Sequence, residues 1–306
     1  MKDGQSRPNH LKEMTFFLFC AKVTHKGTGK EGSKMTGMEQ TAEDINTLVR
    51  FCGKRDLPLL TQAALQEAYG ISRADAMVLF GGSILCGGDV LAEAMRNRIA
   101  EKYIIVGGAG HTTETLRQKM HAAYPEVDTD GLPEAKVFDS YLENCYGLKA
   151  DFLECESTNC GNNITFLLRL LEEKHIPYSS IILAQDASMQ RRMEAGLRKY
   201  APDVQIISYA VYAASVTAAP EGLVYENEIR GMWDMNQYIT LLMGEITRLS
   251  DNADGYGPKG KGFIAHVDIP DDVMEAFGRL KERYRGMIRR ANPLYASSDT
   301  KKAEEP

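Results

Sequence analysis

Five short apolar runs alternate with segments of helical period between residues 75 and 208, and this rhythm limits the possible folds more than any other feature. The runs are 75–80 (DAMVLF), 103–106 (YIIV), 151–155 (DFLEC), 180–184 (SIILA) and 204–208 (VQIIS). Helix-like segments lie between them at 89–100, 112–123, 134–146, 162–174 and 189–200. Strand, loop and helix in repetition predict a parallel sheet with helices on both faces. The runs are apolar throughout, as strands covered on both faces must be. The expected fold is therefore α/β. It is a Rossmann-like parallel sheet of about five strands, plus a small helical subdomain built from N- and C-terminal segments.

A first helix is expected at 41–53, where Ile45, Leu48, Val49 and Cys52 recur at helical spacing. Thr41 with Asp44 has a capping-box pattern there. A second helix is expected at 61–69, stopped by Gly70. Thr112 or Thr113 is expected to cap the helix at 112–123, and Gly147 to end the one at 134–146. Beyond residue 209 the rhythm is lost. Helical segments at 229–248 and 271–290 flank a Gly-rich loop at 251–262 and join the two N-terminal helices as the helical part. One Rossmann-like domain is thus expected over 41–290, with its core at 72–215 and a C-terminal helical part at 216–290. Residues 1–40 and 291–306 are expected to be disordered tails. Met35 and Met38, just before the first helix, make an over-long start another expectation for the first 34–37 residues.

Composition excludes several functions. The formal net charge is −6, whereas a nucleic-acid partner calls for a basic face. The six cysteines form no Cys-x-x-Cys pair, which argues against a zinc or redox motif and for reduced thiols in the cytoplasm. No stretch approaches the roughly 18 apolar residues of a membrane span. The apolar segment at 16–23 (FFLFCAKV) is too short for one and lacks a signal-peptide cleavage site. There is no Gly-x-x-x-x-Gly-Lys-Ser/Thr loop, no Gly-x-Gly-x-x-Gly after the first strand and no Gly-x-Ser-x-Gly elbow. No metal ligand set is expected either.

In an open parallel sheet, ligands bind beyond the C-terminal ends of the strands. Gly81, Gly82 and Ser83 stand after the first, and Gly107, Gly108, Gly110 and His111 after the second. After the third comes Ser157-Thr158-Asn159-Cys160-Gly161-Asn162-Asn163, and after the fourth come Gln185 and Asp186, then Arg191 and Arg192. These lead into helix N-termini, whose free N–H groups suit an anion. Each glycine pair alone is also compatible with a tight turn. The 157–163 run offers five capping residues where one suffices, which favours ligand contact for Ser157, Thr158, Asn159 and Asn163. His111 and Asp186 are the candidate catalytic groups, as acid or base. Asp186 is equally placed to hold a ribose hydroxyl or to cap a helix. Only one of Arg191 and Arg192 can face the sheet end; Arg191 is assigned to the ligand. Cys160 has no visible partner in the sequence to make it a nucleophile. In the Gly-rich loop, Lys259 or Lys261 is placed to meet a negative group.

At these strand ends the chain resembles the YdcF-like family, within the wider SanA/ElyC/YdcF superfamily. The resemblance rests on Gly81-Gly82-Ser83, on 107–113 (GGAGHTT) and on 156–163 (ESTNCGNN). It continues through 185–192 (QDASMQRR) and 254–260 (DGYGPKG), and spans roughly residues 40–285. It implies a Rossmann-like domain with added helices and S-adenosylmethionine as ligand. Asn162 stands where relatives of this kind carry Glu. Any chemistry then falls to Glu154, Glu156 or Asp186, or the chain binds without turnover.

Three functions are compatible with these residues. The first is a nucleoside- or S-adenosylmethionine-binding protein, in the form of an unorthodox transferase. The second is a phosphoryl or pyrophosphoryl hydrolase using His111 or Asp186. The third is a ligand sensor without activity.

Overall fold

A computed structural model describes residues 36–286 of the chain; Cys20, the expected tail at 291–306 and most of that at 1–40 lie outside the described residues. Strands β1 (Ala74–Phe80), β2 (Ala100–Val106), β3 (Phe152–Glu154), β4 (Ser180–Gln185) and β5 (Gln205–Ala210) form one parallel sheet ordered β3-β2-β1-β4-β5. Val78 at its centre lies opposite Ile104 on one side and Leu183 on the other. The strand order runs outward from β1 to β3 and then returns to β1's other side with β4. That reversal opens a crevice between β1 and β4 at the C-terminal edge.

Successive side chains point to opposite faces of a strand, so each apolar run feeds two cores. Met77, Leu79, Ile105, Ile182 and Ile207 pack against α1 (Gly37–Cys52), α3 (Cys86–Asn97), α5 (Glu134–Tyr146) and α8 (Met235–Leu249). Val78, Phe80, Ile104, Leu183 and Ile206 pack on the other face against α6 (Cys160–Glu173) and α7 (Gln190–Tyr200). Each such side chain contributes about 1.5–3 kcal/mol of burial. Helices α2 (Gln62–Tyr69), α4 (Thr113–Ala123) and α9 (Asp271–Arg283) complete the helices of the described residues.

Several boundaries differ from the sequence expectation. Helix α1 begins at Gly37, because Thr36 and Glu39, not Thr41 and Asp44, form the capping box. Residues 37–40 are therefore helical. Asp44 is buried and instead accepts the guanidinium of Arg279 at 2.8 Å, tying α1 to α9. Helix α3 starts at Cys86, with Gly87 and Gly88 inside it; a Cβ on Gly88 would come within 2.5 Å of the Tyr141 ring. Strand β2 starts at Ala100, where Glu101 and Lys102 disguise a segment that still pairs in register with β1.

The helical part forms from N- and C-terminal segments: α1, α8 and α9 pack together. Between β5 and α8 lies an unexpected hairpin, β6 (Val216–Ala219) with β7 (Gly222–Tyr225). Its strands are four residues each, and its turn needs Gly222 at φ 135°.

The sheet margins are treated differently. Along β5, Ala210 N–H donates to Lys54 O at 3.1 Å and Asp56 N–H to Ser208 O at 2.8 Å, so residues 54–56 cover the outer edge. At the other margin β3 is only three residues long. Among the described residues, no helix is long and apolar enough to cross a membrane.

Candidate functional site

The loops after β1, β2, β3 and β4 meet around one cavity of about 640 Å³. Gly82, Gly108, Asn159 and Asp186, far apart in sequence, all line it. So do Gly81, Ser83, Gly107, Gly110, His111, Ser157, Thr158 and Asn163. Two of the assigned residues are absent from this lining. The Gln185 side chain is buried beside it, with Oε1 accepting Asp186 N–H at 2.6 Å. The other is Arg191, which must be reassigned. Its Nε donates to Phe51 O at 2.5 Å and its guanidinium stacks on the Phe51 ring at 4.2 Å, away from the cavity. The neighbouring Arg192 lines the cavity instead.

The glycines have two different causes. A Cβ on Gly108 would overlap Ser157 O, and one on Gly81 would overlap the Glu134 carboxyl. A Cβ on Gly107 would sit 3.0 Å from the Glu134 Cβ and 3.2 Å from the Gly81 Cα. These three are glycines because protein atoms already fill the space. At Gly82 the nearest neighbour of a Cβ is 3.7 Å away, so here backbone is open to a ligand.

Glu134 is the residue that sequence reasoning missed. It is the first residue of α5, and its N–H donates to Gly108 O at 3.0 Å. Its side chain turns inward and is 7% exposed. Thr112 and Thr113 do not cap α4 with their side chains; both hydroxyls donate to Glu134 Oε1, at 3.0 and 2.9 Å. Burial pushes the Glu134 pKa above the usual carboxylate range, with the Thr113 and Thr112 hydroxyls and the Arg117 charge opposing it. No sequence signal marked it, since a Glu after Pro reads as an ordinary helix start.

Asp186 is strongly engaged within the protein. Oδ1 accepts Ser188 N–H and Oγ–H, both at 2.8 Å, and the Tyr212 hydroxyl at 2.7 Å. Oδ2 accepts the Trp233 indole N–H at 3.2 Å. The Tyr212 pKa is raised by burial and then by Asp186, so its proton stays in that bond. Of the 157–163 run, Asn159 does cap α6, accepting Asn162 N–H at 2.9 Å. Ser157 Oγ accepts Gly108 N–H at 3.2 Å and joins two of the loops. Asn162, at the position of the expected departure, accepts from Asn159 Nδ2 at 2.7 Å and Thr158 Oγ1 at 3.3 Å.

The far wall comes from α7, α8 and the Gly-rich loop. Arg192 and Glu245, both buried, are paired through Nε–Oε2 at 2.5 Å and Nη2–Oε1 at 3.0 Å. Arg248 Nη1 adds a 3.3 Å contact to Glu245 Oε1. Burial opposes the charge of Arg192, and the Cys160 thiol and Glu245 beside it outweigh that cost, raising its pKa. Cys160, the first residue of α6, thus has a cationic neighbour that its sequence context did not reveal. The Gly-rich loop folds tightly on itself: a Cβ on Gly255 would overlap Ser250 O and one on Gly260 would overlap Asn252 O. It presents Tyr256, Lys261 and Phe263 to the cavity, whereas Lys259 is exposed and not part of the lining. Trp233 closes another side, with Lys119 Nζ 4.6 Å from its ring centroid. Neither Trp233 nor Glu245 carries a motif; both reach the site only through the packing of the C-terminal part.

No protein-family model matches the chain. It is similar to an uncharacterised protein of Streptomyces coelicolor, 23% identical over 193 residues that cover 63% of this chain and 75% of that protein.

Proposed function

We propose that this chain is a small-molecule binding protein of the YdcF-like kind, working in the cytoplasm, whose ligand is of nucleoside type. S-adenosylmethionine is the first candidate, and transfer from its sulfonium is the activity that would follow. The observation that carries this reading is the single cavity joining four strand ends. Its volume falls within the range of about 300–1,000 Å³ common for ligand sites. Both signs of charge line it, Asp186 by the strands and Arg192 and Lys261 opposite. That suits a ligand carrying a cationic centre and a carboxylate. Trp233 and Tyr256 offer aromatic surface for a base, and Gly82 leaves room for close approach.

Calorimetry with S-adenosylmethionine, S-adenosylhomocysteine and ATP tests the reading. Binding of the first two ahead of ATP supports it; absence of heat at millimolar ligand sinks it. The hydrolase alternative keeps one favouring observation, which is His111 in the same lining as Arg192 and Lys261. A panel of nucleotides and prenyl phosphates, with His111→Ala as control, separates the two.

A further inference from the structure

We infer that the cavity is catalytic, with Glu134 accepting a proton from a hydroxyl or amine of an acceptor substrate seated against the 81–83 turn. The inference rests on the sulfonium-donor reading above and adds the acid–base group and the acceptor class.

A glutamate in the first turn of a helix ordinarily faces water, where it favours the helix dipole. Glu134 does the opposite and lies buried under two strand-end loops. The fold gives up side chains at Gly81 and Gly107 around it. A carboxylate serving as a cap would accept backbone N–H groups. Here Oε1 accepts two threonine hydroxyls, which fix the plane of the group, and Oε2 lies against the Gly81 turn.

An independent observation points to a ligand at the same place. Ser83 is 1% exposed and lines the cavity, yet its Oγ has no hydrogen-bond partner among the described residues. Buried hydroxyls are nearly always paired. A hydroxyl or amine of the acceptor supplies the missing partner to Ser83 and presents its proton to Glu134. Asp186 is not free for this role, because its Oδ1 already accepts three donors. A carboxyl kept from water, with its affinity for protons increased, suits a group that must take up a proton and release it again.

The step balances. The acceptor's O–H or N–H bond breaks and the proton goes to Glu134 Oε2. The freed electron pair forms the bond to the alkyl carbon. The carbon–sulfur bond of the sulfonium breaks with its pair remaining on sulfur, which leaves as a neutral thioether.

The test uses the full chain, S-adenosylmethionine as donor and the small-molecule fraction of a cell extract as acceptor pool. Donor affinity is read by calorimetry and S-adenosylhomocysteine formation by mass spectrometry, for wild type, Glu134→Gln and Glu134→Asp. The expected result is unchanged donor affinity in Glu134→Gln with product formation lower by about 10²–10⁴-fold, and partial activity in Glu134→Asp. Wild-type turnover in Glu134→Gln overturns the inference. So does parallel loss of affinity and turnover, which would make Glu134 a donor-binding group. Donor binding without any product in the wild type overturns catalysis but leaves the binding reading standing. Failure of the wild type to bind the donor removes both.

Discussion

A side chain on Gly81 and the carboxyl of Glu134 would occupy the same space. The glycine at the end of β1 and the glutamate at the start of α5, 53 positions later in the chain, are thus one structural unit. Gly81→Ala is expected to cost about 1–3 kcal/mol through overpacking, read as a lower urea midpoint. Combined with Glu134→Ala, the two losses should fall short of their sum. Simple additivity would show that the residues do not share this space. Gly82→Ala, with open space around it, is the control and should stay within about 0.5 kcal/mol of wild type.

The raised pKa of Glu134 gives stability a sign with pH. The folded chain holds this proton more tightly than the unfolded chain does. The contribution is therefore fully present below the ordinary carboxylate pKa near 4.5 and is lost as pH rises through the higher folded value. The difference in Tm between wild type and Glu134→Gln should move against the wild type as pH rises from 4 toward neutrality, an interval of about three units. A difference independent of pH would refute the assignment.

Trp233 is the chain's one tryptophan, and it lines the cavity. Its emission should respond to S-adenosylmethionine in a saturable way, with the same midpoint that calorimetry gives. Trp233→Phe should weaken binding by about tenfold, in line with about 1–1.5 kcal/mol for one aromatic contact. Binding seen by calorimetry with no change in emission would place the ligand elsewhere.

Glu245 is the buried counter-ion that Arg192 and Arg248 share. Glu245→Gln leaves two buried guanidiniums without it and should cost about 3–5 kcal/mol. Chemical denaturation checks this, and a loss below about 1 kcal/mol would show that the pair is dispensable.

The adjacent arginines give a cleaner separation. Arg191→Ala should leave S-adenosylmethionine affinity unchanged, since that side chain belongs to Phe51. Lys261→Met should lower it by about three- to tenfold, the effect of one partly exposed charge. The reverse ranking would restore Arg191 to the site.

The sheet was legible because its runs are buried on both faces and so read as uninterrupted apolar sequence. The strand-end rim followed from topology alone, and Gly82, Gly108, Asn159 and Asp186 do share one cavity. What stayed hidden depends on distant packing. Thr112 and Thr113 look like caps until Glu134 arrives from another helix to accept their hydroxyls. Arg191 and Arg192 are indistinguishable in sequence, and only the positions of Phe51 and Glu245 sort them. The hairpin at 216–225 escaped notice because four-residue strands carry too little pattern.

The two margins of the sheet bear on how the protein behaves in a crowded solution. Residues 54–56 pair with the outer backbone of β5 at Ser208 and Ala210, and β3 exposes a ladder only three residues long. An invading strand from another molecule finds one flank already occupied and the other too short to hold it. The described fold is thereby guarded against edge-to-edge polymerisation by its own backbone.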